Sequence, residues 1–332
     1  MRAWLMDSYN GVGQLRLGEV PDPQPGPAEV RLKVRYASLN PADAFLAQGL
    51  YPAKPVLPHI LGRDGVGDVE IVGSRVDNIR RGDTVGILRC EAGVEIPGTL
   101  AEKVVVPADS LARIPAGWSL EEMAGAPLVF LTAWQALTQW NDPPAPPPEG
   151  SVLLVTGASG GVGVASVMLG KSMGLVVVGL SRDAEKRAKL NTLGTDFVFD
   201  PAANDLVQSV SAAIHPKRVD LAIDCVGGKL LPHVIALLGH RGRISIVGRS
   251  GGVVPEFNPA TLLFRRLRIG GVAVGDYTRQ AAQAAWEHIV GRLKAIGRRP
   301  QVDSVVPFEA VMMGFSRLAQ GPMGKVVIRV AD

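Results

Sequence analysis

The sequence predicts an α/β protein of two domains, one β-rich and one built on a doubly wound parallel sheet. Three observations carry this. At 332 residues the chain exceeds what one hydrophobic core usually organises. Its first 120 residues run in short β-branched stretches separated by proline and glycine. Beyond position 150, apolar strands alternate with helical stretches, the pattern of a parallel sheet covered on both faces.

Taken in order, the strands of the first region are expected at 30–36, 65–72, 83–88 and 101–106. Ser119 then opens a helix, because Glu122 three residues on gives the spacing of a capping box, and 132–140 continues helically. The segment 141–150, NDPPAPPPEG, is expected to be a stiff, exposed connection, since proline lacks the N–H that helix interiors and central strands need. Next comes VLLVTGASGGVG at 152–163, an apolar strand running into a glycine-rich turn, followed by a helix over 164–173 and a second strand over 175–180. Helices at 184–193 and 206–214 and strands at 197–199, 219–225, 242–247 and 267–274 complete the alternation. The region 279–295 reads as helix, and the chain ends in an extended KVVIRV that suits a return to the first domain. The expected domains are therefore 1–120 with 276–332, and 121–275.

The turn carries the chemistry. Glycines at 157, 160, 161 and 163 let backbone approach a pyrophosphate, and the helix that follows presents unpaired N–H groups and its positive dipole end. Glycine turns also occur for packing alone, but strand, turn, helix and second strand together form the unit that a dinucleotide site requires. Ser159, Gly160, Gly161 and Val162 are the expected phosphate contacts. An NAD site places a carboxylate about 20 residues past the turn, on the adenosine ribose; here Ser181 and Arg182 stand there, which favours the 2′-phosphate of NADPH. In the alternative reading Arg182 only solvates a helix start, and Asp183 takes the NAD role a little late. Lys186 is a further candidate for the phosphate, or a solvated residue of its helix. Val247 and Gly248, ending a later strand, fall where doubly wound folds bind ligands.

Composition narrows the class. Charged residues make up 20% and apolar residues 47%, as in a globular protein, and the net charge of +4 is dispersed with no basic run of the kind nucleic acid needs. Two cysteines, Cys90 and Cys225, cannot build a disulfide framework, which points to a reducing compartment such as the cytoplasm. No stretch stays apolar long enough to span a membrane, and no secretory signal opens the chain.

The runs NPADAFLAQGLYP (40–52), LGRDGVGDVEIVG (61–73), TGASGGVG (156–163), DCVGG (224–228) and GKVVI (324–328), with Gly82 and Asp83, resemble the medium-chain dehydrogenase/reductase superfamily over nearly the whole chain. Within it the chain looks like the zinc-free quinone oxidoreductase branch, which includes zeta-crystallin-like proteins. The resemblance implies a GroES-like substrate domain with a Rossmann NADPH-binding domain inserted in it, and a homodimer. The stretch 267–274 is the edge strand expected to pair across the dimer axis.

Zinc is not expected. Where zinc-dependent relatives carry a cysteine this chain has Asn40, and their Gly-His-Glu run is replaced by Gly62, Arg63 and Asp64. The five histidines are dispersed. Without a metal ligand set to polarise an alcohol, hydride transfer to a quinone or another conjugated carbonyl is the expected reaction. Tyr51 is the candidate proton donor or oxyanion partner, or else a residue that packs on the cofactor. The resemblance implies that Asn40 lies beside the nicotinamide and that Thr132 reaches its carboxamide; in the alternative reading either is a local cap or turn residue. Two other functions compete: a trans-2-enoyl thioester reductase, in which Arg265 and Arg266 would meet nucleotide phosphates or else form only an exposed basic patch, and a weakly catalytic NADPH-binding sensor or RNA-binding protein.

Overall fold

The computed structural model describes residues 1–252 and 257–331. They form two compact units, one from Met1–Leu128, Gly275–Glu287 and the chain from Arg299 onward, the other from Val129–Val274 and His288–Arg298. The architecture is α/β, a GroES-like β-rich part and a Rossmann-type parallel sheet.

The first unit opens with strands β1 (Arg2–Met6), β2 (Arg16–Glu19) and β3 (Glu29–Ser38), then helix α1 (Pro41–Ala47). Strands β4 (His59–Ile60), β5 (Asp64–Val72), β6 (Thr84–Ile87), β7 (Lys103–Pro107) and β8 (Leu111–Arg113) follow, and then helix α2 (Leu120–Gly125). Ser119 caps α2 as its spacing predicts: the Glu122 amide donates to Ser119 Oγ at 3.2 Å, and Ser119 N–H donates back to Glu122 Oε2 at 2.8 Å.

Helix α3 (Pro127–Thr138) starts earlier than its periodicity suggested and stops at Thr138. Proline suits a first helical turn, whose N–H groups have no intrahelical partner. The second unit then alternates β9 (Val152–Thr156), α4 (Gly161–Ser172), β10 (Val176–Leu180), α5 (Ala184–Thr192), β11 (Phe197–Phe199), α6 (Leu206–Ile214) and β12 (Val219–Asp224). It continues with α7 (Leu231–Leu237), β13 (Leu238–Ile246), α8 (Ala260–Arg265) and β14 (Arg268–Gly271). The connection 141–150 is mostly exposed, as its prolines imply, but Pro147 is buried. β14 is shorter than the apolar run 267–274 because its partner β13 ends at Ile246. The chain closes with α9 (Arg279–Ala295), β15 (Val302–Pro307), α10 (Val311–Ala319) and β16 (Lys325–Arg329).

β16 does return to the β-rich sheet, pairing antiparallel with β3 so that Val327 faces Ser38 and Ile328 faces Ala37. That sheet runs β15-β16-β3-β5-β6-β8, with β7 also on β3, over a core that includes Leu32, Val34, Leu39, Leu61, Ile87 and Phe308. The six strands of the other sheet are parallel, ordered β11-β10-β9-β12-β13-β14. Its first strand in sequence, β9, sits mid-sheet, and the chain builds outward from it in both directions. The point of reversal lies between β9 and β12, where open α/β sheets hold their ligands. Among the described residues no helix is long and apolar enough to cross a membrane.

Candidate active site

The glycine turn leaves β9 at this switch point. Gly157 takes φ +59°, a left-handed conformation that favours glycine, and the Gly160 amide closes the turn on Gly157 O at 2.9 Å. Gly160 is the N-cap of α4 and carries no side chain to bind the orphan N–H groups of its first turn. A Cβ on Gly163 would stand 2.2 Å from Gly157 O, so only glycine lets the helix start this close to the turn. Across the sheet, the Val247 and Gly248 amides donate to Asp224 O at 2.9 and 3.2 Å. Asp224 Oδ1 accepts from Thr156 Oγ1 at 2.6 Å and from the amides of Val226 and Gly227 at 3.1 and 2.9 Å. Ser159, Gly160, Gly161, Val162, Val247 and Gly248 thus come together at the carboxyl ends of β9 and β13. Asp224, fully buried, ties these ends to each other and was missed; its signal was a carboxylate closing an apolar strand.

The adenosine side is built from the end of β10. Ser181 is buried, its Oγ 3.2 Å from Ser159 Oγ. Arg182 is exposed, and its guanidinium has no partner among the described residues. Asp183 caps α5, accepting the Lys186 amide at 3.0 Å; that bond holds its carboxyl below the usual range. Lys186 Nζ lies 4.0 Å from Asp183 Oδ2. Arg187, another residue the sequence reading passed over, pins the turn by donating to Ser181 O, Arg182 O and Asp200 Oδ2 at 2.8, 2.7 and 3.1 Å. Thr132 is buried on α3 in the same unit. Arg265 is differently employed: it donates to Ile235 O, Ala236 O and Leu238 O around the C-terminus of α7, which occupies the group considered for a thioester's phosphates.

Asn40 and Tyr51 belong to the other unit. Asn40 starts α1, where Asp43 turns back to accept its backbone N–H at 2.7 Å, and Pro41 occupies the first turn. The Asn40 amide is oriented by two buried charges. Lys325 Nζ, which can only donate, bonds Oδ1 at 2.5 Å, and Asp64 Oδ2 accepts from Nδ2 at 2.9 Å. Lys325 also donates to Leu39 O at 3.0 Å. Burial raises Asp43 from 3.8 to about 6, against the N–H bond from Asn40 and the charges of Arg63 and Lys325. Tyr51, half-buried, accepts from Arg63 Nη1 at 3.1 Å, with the guanidinium carbon 5.8 Å from its ring centre.

These residues do not suit a catalytic zinc. In the place of a thiolate and an imidazole stand an amide and a guanidinium, and the Asn40 oxygen already faces an ammonium. Burial pushes the Cys90 thiol up to about 11 and the Cys225 thiol up to about 12, away from the thiolate a metal binds. Among the described residues no group of three His, Cys, Asp or Glu side chains is placed to hold a metal ion.

Known proteins match this arrangement end to end. The profile described as alcohol dehydrogenase GroES-like domain matches residues 26–116, and that described as zinc-binding dehydrogenase matches 161–291. Pig quinone oxidoreductase is 27% identical over 99% of this chain and 97% of its own. Mitochondrial enoyl-[acyl-carrier-protein] reductase of Xenopus tropicalis is 29% identical over 84% of this chain and 79% of its own. Among solved structures, an NAD-dependent alcohol dehydrogenase superposes with a TM-score of 0.89, at 32% identity and full coverage of both chains. A mycobacterial protein complexed with NADPH superposes with 0.88, at 26% identity over 99% of this chain and 100% of that one. The two folds, the switch-point turn and these matches define an oxidoreductase. The chain belongs to the medium-chain dehydrogenase/reductase superfamily, as a quinone oxidoreductase-like member.

Proposed function

We propose that the protein is an NADPH-dependent reductase of quinones or other conjugated carbonyls. One observation carries the reading. At the end of β10, where an NAD site needs a free carboxylate, Ser181 and the unpaired Arg182 stand instead, and the nearby Asp183 is spent on capping α5. The mycobacterial neighbour that holds NADPH supports it, and the quinone oxidoreductase relatives support the substrate class.

When bound, the cofactor supplies a hydride from its nicotinamide. Ser159, Gly160, Gly161 and Val162 hold the pyrophosphate through backbone N–H groups at the start of α4. Ser181, Arg182 and Lys186 bind the 2′-phosphate by charge-assisted hydrogen bonds. Val247 and Gly248 line the same switch point. Asn40 and Thr132 orient the nicotinamide. With no zinc ligand set among the described residues, the acceptor must delocalise its own developing charge, which a quinone or enone does and a simple ketone does not. Tyr51 gives a proton to the acceptor oxygen.

The enoyl reductase relative favours one competing reading, reduction of an enoyl thioester, which uses the same proton donor. Loss of absorbance at 340 nm separates the two, with NADPH or NADH offered together with 1,4-benzoquinone, 9,10-phenanthrenequinone or crotonyl-CoA. Quinone-dependent oxidation of NADPH in preference to NADH is expected. Turnover of crotonyl-CoA alone moves the protein to the thioester reductases, and no turnover leaves a nucleotide-binding protein.

The assembly belongs to the same reading. β14 borders its sheet with one edge unpaired among the described residues, and Ile269 on it and Leu263 and Phe264 on α8 are exposed. Two copies pair along this edge. Light scattering that returns a 35.0 kDa particle, the mass of one chain, rejects the dimer.

A further inference from the structure

We propose that Arg63 and Tyr51 form an oxyanion-binding pair, in which Tyr51 delivers the proton and Arg63 is the cation that receives the resulting charge. This deepens the reductase reading and rests on it for the identity of the substrate, an enone or quinone whose oxygen becomes an enolate or a phenolate.

The direction of one hydrogen bond sets the roles. Guanidinium has donors and no acceptor, so in the 3.1 Å contact Arg63 donates and the Tyr51 oxygen accepts. The phenol proton is then left to point elsewhere, and no acceptor for it is found among the described residues. The charge on Arg63 is also unusually placed. The six other arginines of this unit that are at least partly buried, Arg2, Arg31, Arg35, Arg89, Arg279 and Arg317, all form ion pairs, with Glu102, Glu70, Asp68, Glu91, Asp109 and Asp303 in turn. Arg63 makes no direct ion pair among the described residues and bonds a neutral phenol, although the carboxyl of Asp43 lies close enough to feel its charge. Its Nε, like those of Arg35, Arg89 and Arg279, is buried without a partner among the described residues. The Nη1 group that reaches Tyr51 is the charged donor that an anionic oxygen arriving beside the phenol would meet.

The backbone holds Arg63 rigidly. Gly62 takes φ +99°, and a Cβ there would meet Thr99 Oγ1 at 2.5 Å and Leu100 N at 2.9 Å. The Thr99 amide donates to Gly62 O at 3.0 Å, and Thr99 Oγ1 to Asp64 O at 2.7 Å, so both neighbours of Arg63 are tied to one strand connection. A donor fixed before the charge develops is what stabilises an oxyanion without reorganisation.

The step balances. With a hydride supplied by a bound reduced nicotinamide, the β-carbon of the substrate would gain a C–H bond and its electron pair, the C=C pair would shift to form the new C=C of an enolate, and the carbonyl π pair would move onto oxygen. The Tyr51 O–H bond breaks and its proton joins that oxygen. The phenolate that remains accepts from Arg63 until water reprotonates it.

The probe is 4-nitrophenol, whose anion absorbs near 400 nm and mimics a ring-borne oxyanion, titrated into the full-length protein with and without NADP⁺. The expected result is selective binding of the anion, weakened about tenfold or more in Arg63→Met and only a few-fold in Tyr51→Phe. Arg63→Lys, which keeps the charge and loses the fork, falls between, and far-UV circular dichroism of each variant checks folding. Added guanidinium at millimolar concentration restores anion binding to Arg63→Ala if the site is an oxyanion hole. Absence of binding to the wild-type protein, or equal binding to folded Arg63→Met, overturns the pair. Arg63-dependent binding without carbonyl turnover leaves the pair standing and the reductase reading fallen; turnover unchanged in Arg63→Met does the reverse.

Discussion

Lys325 Nζ and Asp64 Oδ2 face each other at 3.2 Å with their side chains 6% and 1% exposed, one at the start of β16 and the other at the start of β5. A buried pair of this kind adds little net stability, because desolvating two charges offsets their attraction. What it does here is fix the Asn40 amide, oxygen to lysine and nitrogen to aspartate. Removing one partner leaves the other charge uncompensated. Lys325→Met is therefore expected to lose about 3–5 kcal/mol in urea unfolding. The double variant Lys325→Met with Asp64→Asn should recover part of that loss. Strict additivity of the two single losses would show that the pair is not coupled.

Cofactor choice is testable at Arg182. Its exposed guanidinium has no partner among the described residues, so Arg182→Ala should leave the fold intact. The expected effect is a rise in KM for NADPH of about tenfold to a hundredfold, the range of a lost charge-assisted hydrogen bond. NADH kinetics should stay within a factor of two or so, since no 2′-phosphate is involved. Equal losses with both nucleotides would remove Arg182 from the phosphate site.

The parallel sheet was legible because its signals are local: β9, the glycine turn and the start of α4 are contiguous, and their glycines state where backbone must come close. The capping box at Ser119 and Glu122 was legible for the same reason. The group around Asn40 was not. Lys325 lies 285 positions from Asn40, and nothing in GKVVI marks its lysine as buried until β16 is seen to pair with β3. Arg63 read as a missing zinc ligand, and only its distance to Tyr51 gives it a partner. Asp224 and Arg187 act through bonds between strand ends and loops, which periodicity does not encode.

Asp43 gives a pH dependence of unusual sign. Its carboxyl titrates at about 6 in the folded protein because burial disfavours the charge, against 3.8 as its ordinary value. Between those values the folded state binds more protons than the unfolded one, so this group's contribution falls as pH rises. Below about pH 4 nothing is lost; above pH 6 the loss reaches about 3 kcal/mol, at 1.36 kcal/mol per pKa unit. Asp43→Asn keeps an acceptor for the Asn40 N–H and never ionises. The variant should match the wild type near pH 4 and exceed it in urea midpoint near pH 7. A difference that stays flat across this window rules out Asp43 as the titrating group.

Gly160 and Gly163 separate the two reasons a turn can need glycine. At Gly163 an added Cβ meets Gly157 O at 2.2 Å and Ala158 Cα and C at 2.7 Å, all backbone atoms that no rotamer change can move. Gly163→Ala must push α4 away from the turn, at about 1–3 kcal/mol of stability, the usual cost of overpacking. At Gly160 the backbone is extended at φ −75°, and the nearest atom to a new Cβ, Gly157 O, is 3.4 Å away. Gly160→Ala should therefore fold with its stability within about 0.5 kcal/mol of wild type. Its methyl group would stand at the N-cap of α4, where the pyrophosphate is proposed to lie, and NADPH affinity measured by quenching of tryptophan fluorescence should drop at least about tenfold. Gly163→Ala losing stability with Gly160→Ala binding NADPH normally would make the turn a packing device, and the phosphate would have to be sought elsewhere on the sheet.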